Sequence, residues 1–246
     1  MSPPEVRGRQ PHSGPVEAVV WQGSGTAWPG VGWGEPAAQL LARLGWRVSL
    51  VAWGDPAFEH RGRRGVLHLF AGGLEPVCSG TAAMADRLDA VRQALAAAAD
   101  GDTPVVGVCL GAQQIAAVAA GLHPEPARPG ELGVVAVHGH GAPDLHVPTA
   151  HVQQVPARLL AVPGARLLWS NAATPVQGFG LGERVVGVQF HPELSEAEAG
   201  WAAAAFARSH DVPPASPATG PVDPAAAVSA VLDAIGATRL AGALVG

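Results

Sequence analysis

Three residues in two short stretches carry side chains that could perform nucleophilic chemistry. Cys109 lies between Gly107 and Gly111 in the stretch VVGVCLGAQQ, and His191 and Glu193 are two positions apart in VVGVQFHPEL. A thiolate is a strong nucleophile, an imidazole can carry protons, and a carboxylate can orient the imidazole, which together make a triad. From its own stretch alone, Cys109 is equally compatible with a small hydrophobic residue buried in a core.

The sequence around Cys109 predicts a buried strand at 104–108 and a helix at 111–120. A cysteine at this junction lies at the carboxyl edge of a parallel sheet, where open α/β folds bind their ligands. The first turn of the helix offers unpaired N–H groups and partial positive charge, which favour a thiolate and an oxyanion. Gly107 and Gly111 permit a tight turn that pushes the side chain outward, much as in the nucleophile elbow of hydrolases.

His191 and Glu193 follow the apolar segment 185–190, which predicts the last buried strand. In an extended segment, residues two apart point to the same side, so Glu193 could orient the imidazole while the imidazole faces the thiol. A lone His-x-Glu pattern is a weak signal. Its position after a buried strand, downstream of a cysteine on an elbow, makes it much stronger.

The rest of the chain alternates apolar segments of strand length with apolar-periodic segments of helical length, which is typical of βαβ units and a parallel sheet. Beyond residue 131 the strands are shorter and separated by proline and glycine, which predicts an antiparallel addition. The predicted strands are 17–22, 46–53, 66–70, 104–108, 134–137, 165–169, 176–179 and 185–190. The predicted helices are 35–44, 81–99, 111–120 and one opened by a capping box, Ser195-x-x-Glu198.

Composition divides the chain into four parts. Residues 1–15 are rich in proline, arginine and serine and are expected to form a flexible leader, and 16–210 form the α/β domain. Residues 211–224 are expected to be a proline-rich linker. A C-terminal helix is predicted at 225–246, with one apolar stripe that docks on the core of the same chain.

The 246 residues are 48% hydrophobic and 14% charged with a net charge of −5, which indicates one globular α/β domain. All fifteen basic residues are arginine. The absence of lysine excludes Schiff-base chemistry and a phosphate-gripping P-loop, so an ATP-dependent step is expected on a partner. Two cysteines are too few for a disulfide framework.

The only concentration of positive charge is Arg61-Gly62-Arg63-Arg64, and therefore no nucleic-acid partner is expected. No secretory leader and no membrane-spanning stretch are found, which makes a cytoplasmic location the expectation. A histidine cluster in HGHGAPDLHVPTAH could form a metal site, with Asp144 the nearby carboxylate, or a surface ribbon of half-exposed histidines. We predict no metal there. The four histidines are His138, His140, His146 and His151.

The stretches GVCLGAQQ and GVQFHPE together resemble the signature pair of the class I glutamine amidotransferases, in particular the glutaminase domain of guanosine-monophosphate-synthetase-like proteins. The resemblance implies a flavodoxin-like open α/β sheet, mostly parallel, with helices on both faces and no cofactor. It implies that Cys109 attacks the side-chain amide of glutamine, releasing ammonia and leaving a γ-glutamyl thioester that water cleaves. His191 then protonates the ammonia and activates the water, and Glu193 orients His191.

The same resemblance implies further site residues. The backbone N–H groups of Gly73 and Leu110 would bind the oxyanion, and Gly72, Gln113 and His151 would contact the substrate. The sequence also departs from the family pattern in two places. PTAHVQQV stands where the family carries Trp-His-x-Asp, and Leu74-Glu75 follows the Gly-Gly turn where proline is common.

Three functions remain open from the sequence. The first is a glutaminase subunit that supplies ammonia to a separate synthetase or transferase. The second is a γ-glutamyl hydrolase, which uses the same thioester but releases a larger amine; the Trp-rich loop at 28–33 leaves it open. The third is a non-catalytic regulatory subunit, which the intact set of Cys109, His191 and Glu193 disfavours.

Overall fold

A computed structural model describes residues 16–210 and 220–237 of the chain. The predicted leader, residues 211–219 of the predicted linker and residues 238–246 of the predicted last helix lie outside the described residues. The strands are β1 (Glu17–Trp21), β2 (Thr26–Trp28), β3 (Val31–Gly32), β4 (Arg47–Val51), β5 (Leu67–Phe70), β6 (Val105–Val108), β7 (Glu125–Gly139), β8 (Leu145–Gln154), β9 (Ala165–Ser170), β10 (Gly178–Leu181) and β11 (Val185–Val188). The α-helices are α1 (Glu35–Arg43), α2 (Ala82–Ala99), α3 (Leu110–Ala120), α4 (Glu196–His210) and α5 (Pro224–Asp233).

Nine of the described strands form one sheet in the order β4-β1-β5-β6-β11-β10-β9-β7-β8. The first five are parallel to one another, and along the chain their order is second, first, third, fourth, fifth. This is the flavodoxin-like order. The other four strands continue the sheet antiparallel from β11. The predicted α/β fold with an antiparallel addition is therefore confirmed.

Helices cover both faces of the parallel half because each central strand is apolar on both sides. In β6, the neighbouring residues Val105 and Val106 point to opposite faces and belong to different cores. Val106 lies in the core that Leu41 of α1 and Val231 of α5 complete. Val105 lies in the core of α2 and α3, which includes Ile115. Fully buried parallel strands of this kind require helices on both sides.

The antiparallel half differs most from the prediction. Strand β7 runs from Glu125 to Gly139, far longer than the predicted 134–137, and its partner β8 was not predicted at all. Pro148 lies within β8 and lacks an N–H, which disfavours a strand in the sequence. The strand forms nonetheless because β8 is at the edge of the sheet, where one side needs no ladder partner.

Helix ends follow the capping signals. The Ser195 backbone N–H donates to Glu198 Oε2 at 2.8 Å and the Glu198 N–H donates back to Ser195 Oγ at 3.4 Å, the capping box expected before α4. Asp223 caps α5, accepting from the N–H of Ala226 at 3.0 Å. Helix α5 ends at Asp233 and does not run on as predicted; Gly236 follows with φ +64°.

The arginine cluster is used inside the chain. Arg61 is almost fully buried and forms ion pairs with two aspartates of α2, while Arg63 and Arg64 reach one carboxylate each. These arginines therefore brace the loop that precedes β5. The partner carboxylates are Asp86, Asp89, Glu17 and Asp100.

Among the helices described, none has the length and apolar character needed to cross a membrane.

Candidate active site

Cys109 forms a sharp turn between β6 and α3. Its backbone has φ +49° and ψ −105°, a conformation that L-residues rarely adopt, and the residue is 4% exposed. Its N–H donates to Val188 O of β11 at 2.7 Å, which ties the turn to the neighbouring strand. Strain of this kind persists only where the surrounding structure holds it, and it clusters at functional sites.

The two glycines flanking Cys109 are required by space. A Cβ at Gly107 would lie 2.6 Å from Ile115 Cδ1, and a Cβ at Gly111 would lie 2.0 Å from Phe70 O. The first contact joins β6 to α3 and the second joins α3 to β5. A side chain at either position would push the helix away from the sheet and open the turn.

His191 and Glu193 lie in a turn just after β11. The prediction of an extended segment was wrong here, because β11 ends at Val188 and the Leu194 N–H closes the turn on His191 O at 3.3 Å. The turn still brings the two side chains together, with His191 Nδ1 2.8 Å from Glu193 Oε1. The His191 N–H donates to Pro148 O of β8 at 2.7 Å. The pair is therefore fixed between two strands.

The imidazole of His191 is fully buried, and its pKa is raised. Burial lowers the pKa of His191, but the Glu193 carboxylate and the Cys109 side chain outweigh it and raise that pKa to about 10. Nε2 has no partner at hydrogen-bond geometry among the described residues. A protonated imidazole at this position keeps a proton ready to be donated.

A cleft of about 290 Å³ opens at Cys109. The walls include five of the residues that the sequence suggested, and the cleft also takes in the end of β8 and the end of α4. His191, Glu193 and Gly72 are not on its walls, and all three are buried. The lining residues are Gly73, Leu74, Glu75, Pro76, Cys109, Leu110, Gln113, His151, Val152, Gln153, Phe206 and His210.

Two backbone N–H groups at the cleft are candidates for binding an oxyanion. Leu110 is the first residue of α3, so its N–H has no carbonyl to pair with inside the helix. Gly73 packs against it: a Cβ there would lie 2.8 Å from Leu110 Cδ2. Ser24 holds the loop in place by accepting from the N–H of Leu74 at 3.1 Å and of Glu75 at 2.6 Å.

Gln113 of α3 and His151 of β8 both line the cleft. The Gln113 side-chain amide donates to Gln153 O of β8 at 3.1 Å, which links α3 to the edge strand. His151 is 1% exposed and its Nε2 lies 3.4 Å from Glu131 Oε2. The alternative of a surface ribbon of half-exposed histidines is thus wrong for His151, because the pairing of β8 with β7 buries the His151 ring.

Two other histidines of the cluster, His138 and His140, have partners of their own. His138 Nδ1 lies 2.9 Å from Asp144 Oδ1, and His140 Nε2 lies 2.8 Å from Ser170 Oγ. Within the ranges 16–210 and 220–237, no group of three or more histidines, cysteines or carboxylates could hold a metal ion.

Comparison with protein families gives a match to the model for class-I glutamine amidotransferases over residues 38–205, more than half of the chain. The chain belongs to the class-I glutamine amidotransferase family. A comparison with curated protein sequences finds no match.

Solved structures share the fold of this amidotransferase at low sequence identity. A protein assigned as a GMP synthase subunit from Thermoplasma acidophilum is 22% identical with a TM-score of 0.57, over 82% of this chain and all of that one. A glutamine amidotransferase from Thermotoga maritima is 17% identical with a TM-score of 0.59, over 93% and 94% of the two chains. PurLQS from Thermotoga maritima is 15% identical with a TM-score of 0.52, over 79% and 97%.

Sequence reasoning missed one residue of this amidotransferase that touches the candidate acid–base pair. The ring of Trp33 lies 5.0 Å from that of His191 at an interplanar angle of 34°, fully buried. The backbone of Gly72 packs against another side of the His191 ring: a Cβ at Gly72 would lie 2.6 Å from His191 Cε1. The signal available was a tryptophan in a glycine-rich loop, but nothing local shows where such a loop folds.

Proposed function

We propose that this amidotransferase is a glutaminase subunit in which Cys109, His191 and Glu193 hydrolyse the side-chain amide of glutamine and supply the ammonia to a partner synthetase or transferase. The observation that carries the proposal is the strained turn at Cys109, opening onto a cleft with a buried, charged His191–Glu193 pair next to it. A cysteine serving only as core filler would need neither the strain nor the ion pair.

The first half-reaction begins with attack of the Cys109 thiolate on the γ-carboxamide carbon. The developing oxyanion would receive the N–H groups of Leu110 and Gly73. The C–N bond then breaks as His191 donates its proton to the leaving nitrogen. Ammonia departs and the γ-glutamyl group stays on sulfur as a thioester.

The second half-reaction removes the thioester with one water molecule. His191, now neutral, takes a proton from the water, whose oxygen attacks the thioester carbon. The C–S bond breaks and the sulfur departs as the thiolate, with His191 again charged. The γ-carboxylic acid of the product gives its proton to solvent, and glutamate leaves. Throughout both half-reactions, Glu193 fixes the proton of His191 Nδ1 through its 2.8 Å contact.

The ammonia released in this reaction would be used by a separate acceptor enzyme. The chain has no lysine and no phosphate-gripping P-loop, so activation of an acceptor by ATP is assigned to a partner. Two structural neighbours have names that point the same way, the GMP synthase protein from Thermoplasma acidophilum and PurLQS.

The test is glutamate release from L-glutamine and, separately, from a γ-glutamyl amine, with and without a candidate partner. Wild type is expected to act on glutamine and to form a γ-glutamyl adduct of Cys109, detectable by mass spectrometry. Cys109→Ala should abolish both. The matched control is Cys78→Ser, which removes the exposed free cysteine and should leave glutamate release unchanged.

Each outcome separates the alternatives. Faster release from the γ-glutamyl amine than from glutamine would replace the proposal with a γ-glutamyl hydrolase. No release from either substrate, with or without the partner, would leave only the regulatory subunit. Release that persists in Cys109→Ala would refute the thioester route altogether.

A further inference from the structure

A second buried histidine–carboxylate pair lies at the cleft. Glu131 of β7 and His151 of β8 are directly opposite in the antiparallel ladder, so their side chains share one face of the hairpin. His151 Nε2 lies 3.4 Å from Glu131 Oε2, and the residues are 1% and 7% exposed. His151 lines the cleft, whereas Glu131 does not.

Glu131 is a buried anion held by many donors. Oε1 accepts from Asn171 Nδ2 at 2.7 Å, and Oε2 accepts from Gln177 Nε2 at 2.7 Å and from the Thr174 hydroxyl. Burial raises the pKa of Glu131, but His151 and these donors more than offset it, so that pKa lies below its usual range. A carboxylate so well supplied keeps its charge and its position.

The imidazole of His151 can make further hydrogen bonds. Neither ring nitrogen has a partner at hydrogen-bond geometry among the described residues, although Nε2 faces Glu131. A buried polar atom without a partner is costly and calls for an explanation, such as a ligand that completes it. With the Nε2 proton directed at Glu131, Nδ1 is left for a group that enters the cleft.

We propose that Glu131 is a positioning residue: it orients His151 so that Nδ1 meets the α-amino-acid end of the γ-glutamyl substrate held at Cys109. This inference rests on the proposed function and adds a recognition element to it. The γ-carbonyl end is served by Leu110 and Gly73, and His151 provides the cleft with a polar group at the β8 wall. Glu131 touches no substrate and acts only through the ring.

The backbone of β8 is held on both sides of His151, so the orientation of the His151 ring decides where its Nδ1 lies. Ala150 O lies 3.8 Å from Cys109 Sγ, one residue before His151. Gln153 O, two residues after His151, accepts from Gln113 Nε2 at 3.1 Å and from Gln189 Nε2 at 3.3 Å. Glu131 therefore adds side-chain orientation to a backbone that is already fixed on both sides.

The experiment compares two electrophiles that alkylate Cys109. The diazoketone analogue of L-glutamine carries the α-amino-acid end, and iodoacetamide lacks it. Rates are followed on the Cys109 peptide by mass spectrometry in a Cys78→Ser background. In wild type the analogue should react with saturation kinetics, and glutamine should protect Cys109. Glu131→Gln should lower the analogue rate by about tenfold while the iodoacetamide rate stays within about twofold.

Two further variants make the result specific. In a His151→Gln background, Glu131→Gln should have no additional effect on the analogue rate, because Glu131 acts through the imidazole. Thr149→Val is the matched structural control: it removes the 3.2 Å bond to Gly133 O from the same hairpin. It should lower the melting temperature and leave the ratio of the two rates unchanged.

The possible failures are distinguishable. If wild-type Cys109 shows no preference for the analogue, the proposed function fails and this inference fails with it. A preference that survives intact in Glu131→Gln overturns the positioning role alone. If Glu131→Gln does not fold, His151→Gln decides: an unchanged ratio there excludes the contact with the substrate.

Discussion

The backbone N–H of Cys109 donates to Val188 O at 2.7 Å, so the turn at the nucleophile is bonded to the last residue of β11. His191 comes three residues after Val188. The hydrogen bond between Cys109 and Val188 therefore limits how far the His191 imidazole can lie from the Cys109 thiol. The parallel pairing of β6 with β11 carries the same constraint through the whole strand.

The charge on His191 predicts how stability changes with pH. Its pKa rises from 6.5 to about 10 on folding, so the folded state binds more protons between these values and the free energy of unfolding falls as pH rises through them. Glu193→Gln should flatten this slope, because the carboxylate that holds the charge is gone. Denaturant unfolding at a series of pH values from 6.5 to 10 measures this slope of the free energy of unfolding.

His68 supplies the control for that pH dependence. Its pKa is lowered, chiefly by burial, so its contribution to stability is lost as pH falls below 6.5. His68→Gln should therefore leave the slope above pH 6.5 like that of wild type. Equal slopes in wild type and Glu193→Gln would show that His191 is uncharged in the folded chain.

The strained backbone at Cys109 predicts an inverted order of two substitutions. At φ +49° glycine is unstrained, so Cys109→Gly should be more stable than Cys109→Ala by about 1 kcal/mol. In an ordinary helix the order is reversed, and Ala204→Gly at an exposed position of α4 should cost about 1 kcal/mol. Thermal and denaturant unfolding measure both pairs. A Cys109→Ala variant as stable as Cys109→Gly would mean that the turn is relaxed.

Gly72 is expected to matter because of what lies against it. The Cβ of Gly72→Ala would fall 2.6 Å from His191 Cε1, and the displaced ring should lower glutamate release by about 100-fold. Gly200→Ala, the same change in open space on α4, should raise stability by about 0.5–1 kcal/mol without affecting release. Comparable release rates in the two variants would contradict the contact.

Trp33 is expected to support the charged ring of His191 through its aromatic face. Trp33→Phe keeps a face and removes an indole N–H that is buried without a partner among the described residues. Trp33→Leu loses the face, and glutamate release should be about tenfold slower in it than in Trp33→Phe. Both variants lose packing, so their melting temperatures report on the cavity while the ratio of release rates reports on the face. A ratio near one would limit Trp33 to filling space.

Much of the parallel half of the fold was predictable, because its signals are local. Buried strands such as 104–108 are short apolar runs, α2 begins at the capping residue Thr81, and Gly107 stands where a Cβ would meet Ile115, six residues after Cys109. The β7–β8 hairpin was not: β8 contains a proline and polar residues, and it becomes a strand only because β7 pairs with it.

The candidate site divides in the same way. The sequence by itself determined the chemical groups: a cysteine at a strand–helix junction, and a histidine and glutamate too close along the chain to be far apart. Only the tertiary structure decided that the pKa of His191 is raised, that Trp33 packs on its ring, and that Glu131 faces His151. These facts depend on burial and cross-strand register between distant segments, and no short stretch of sequence encodes either.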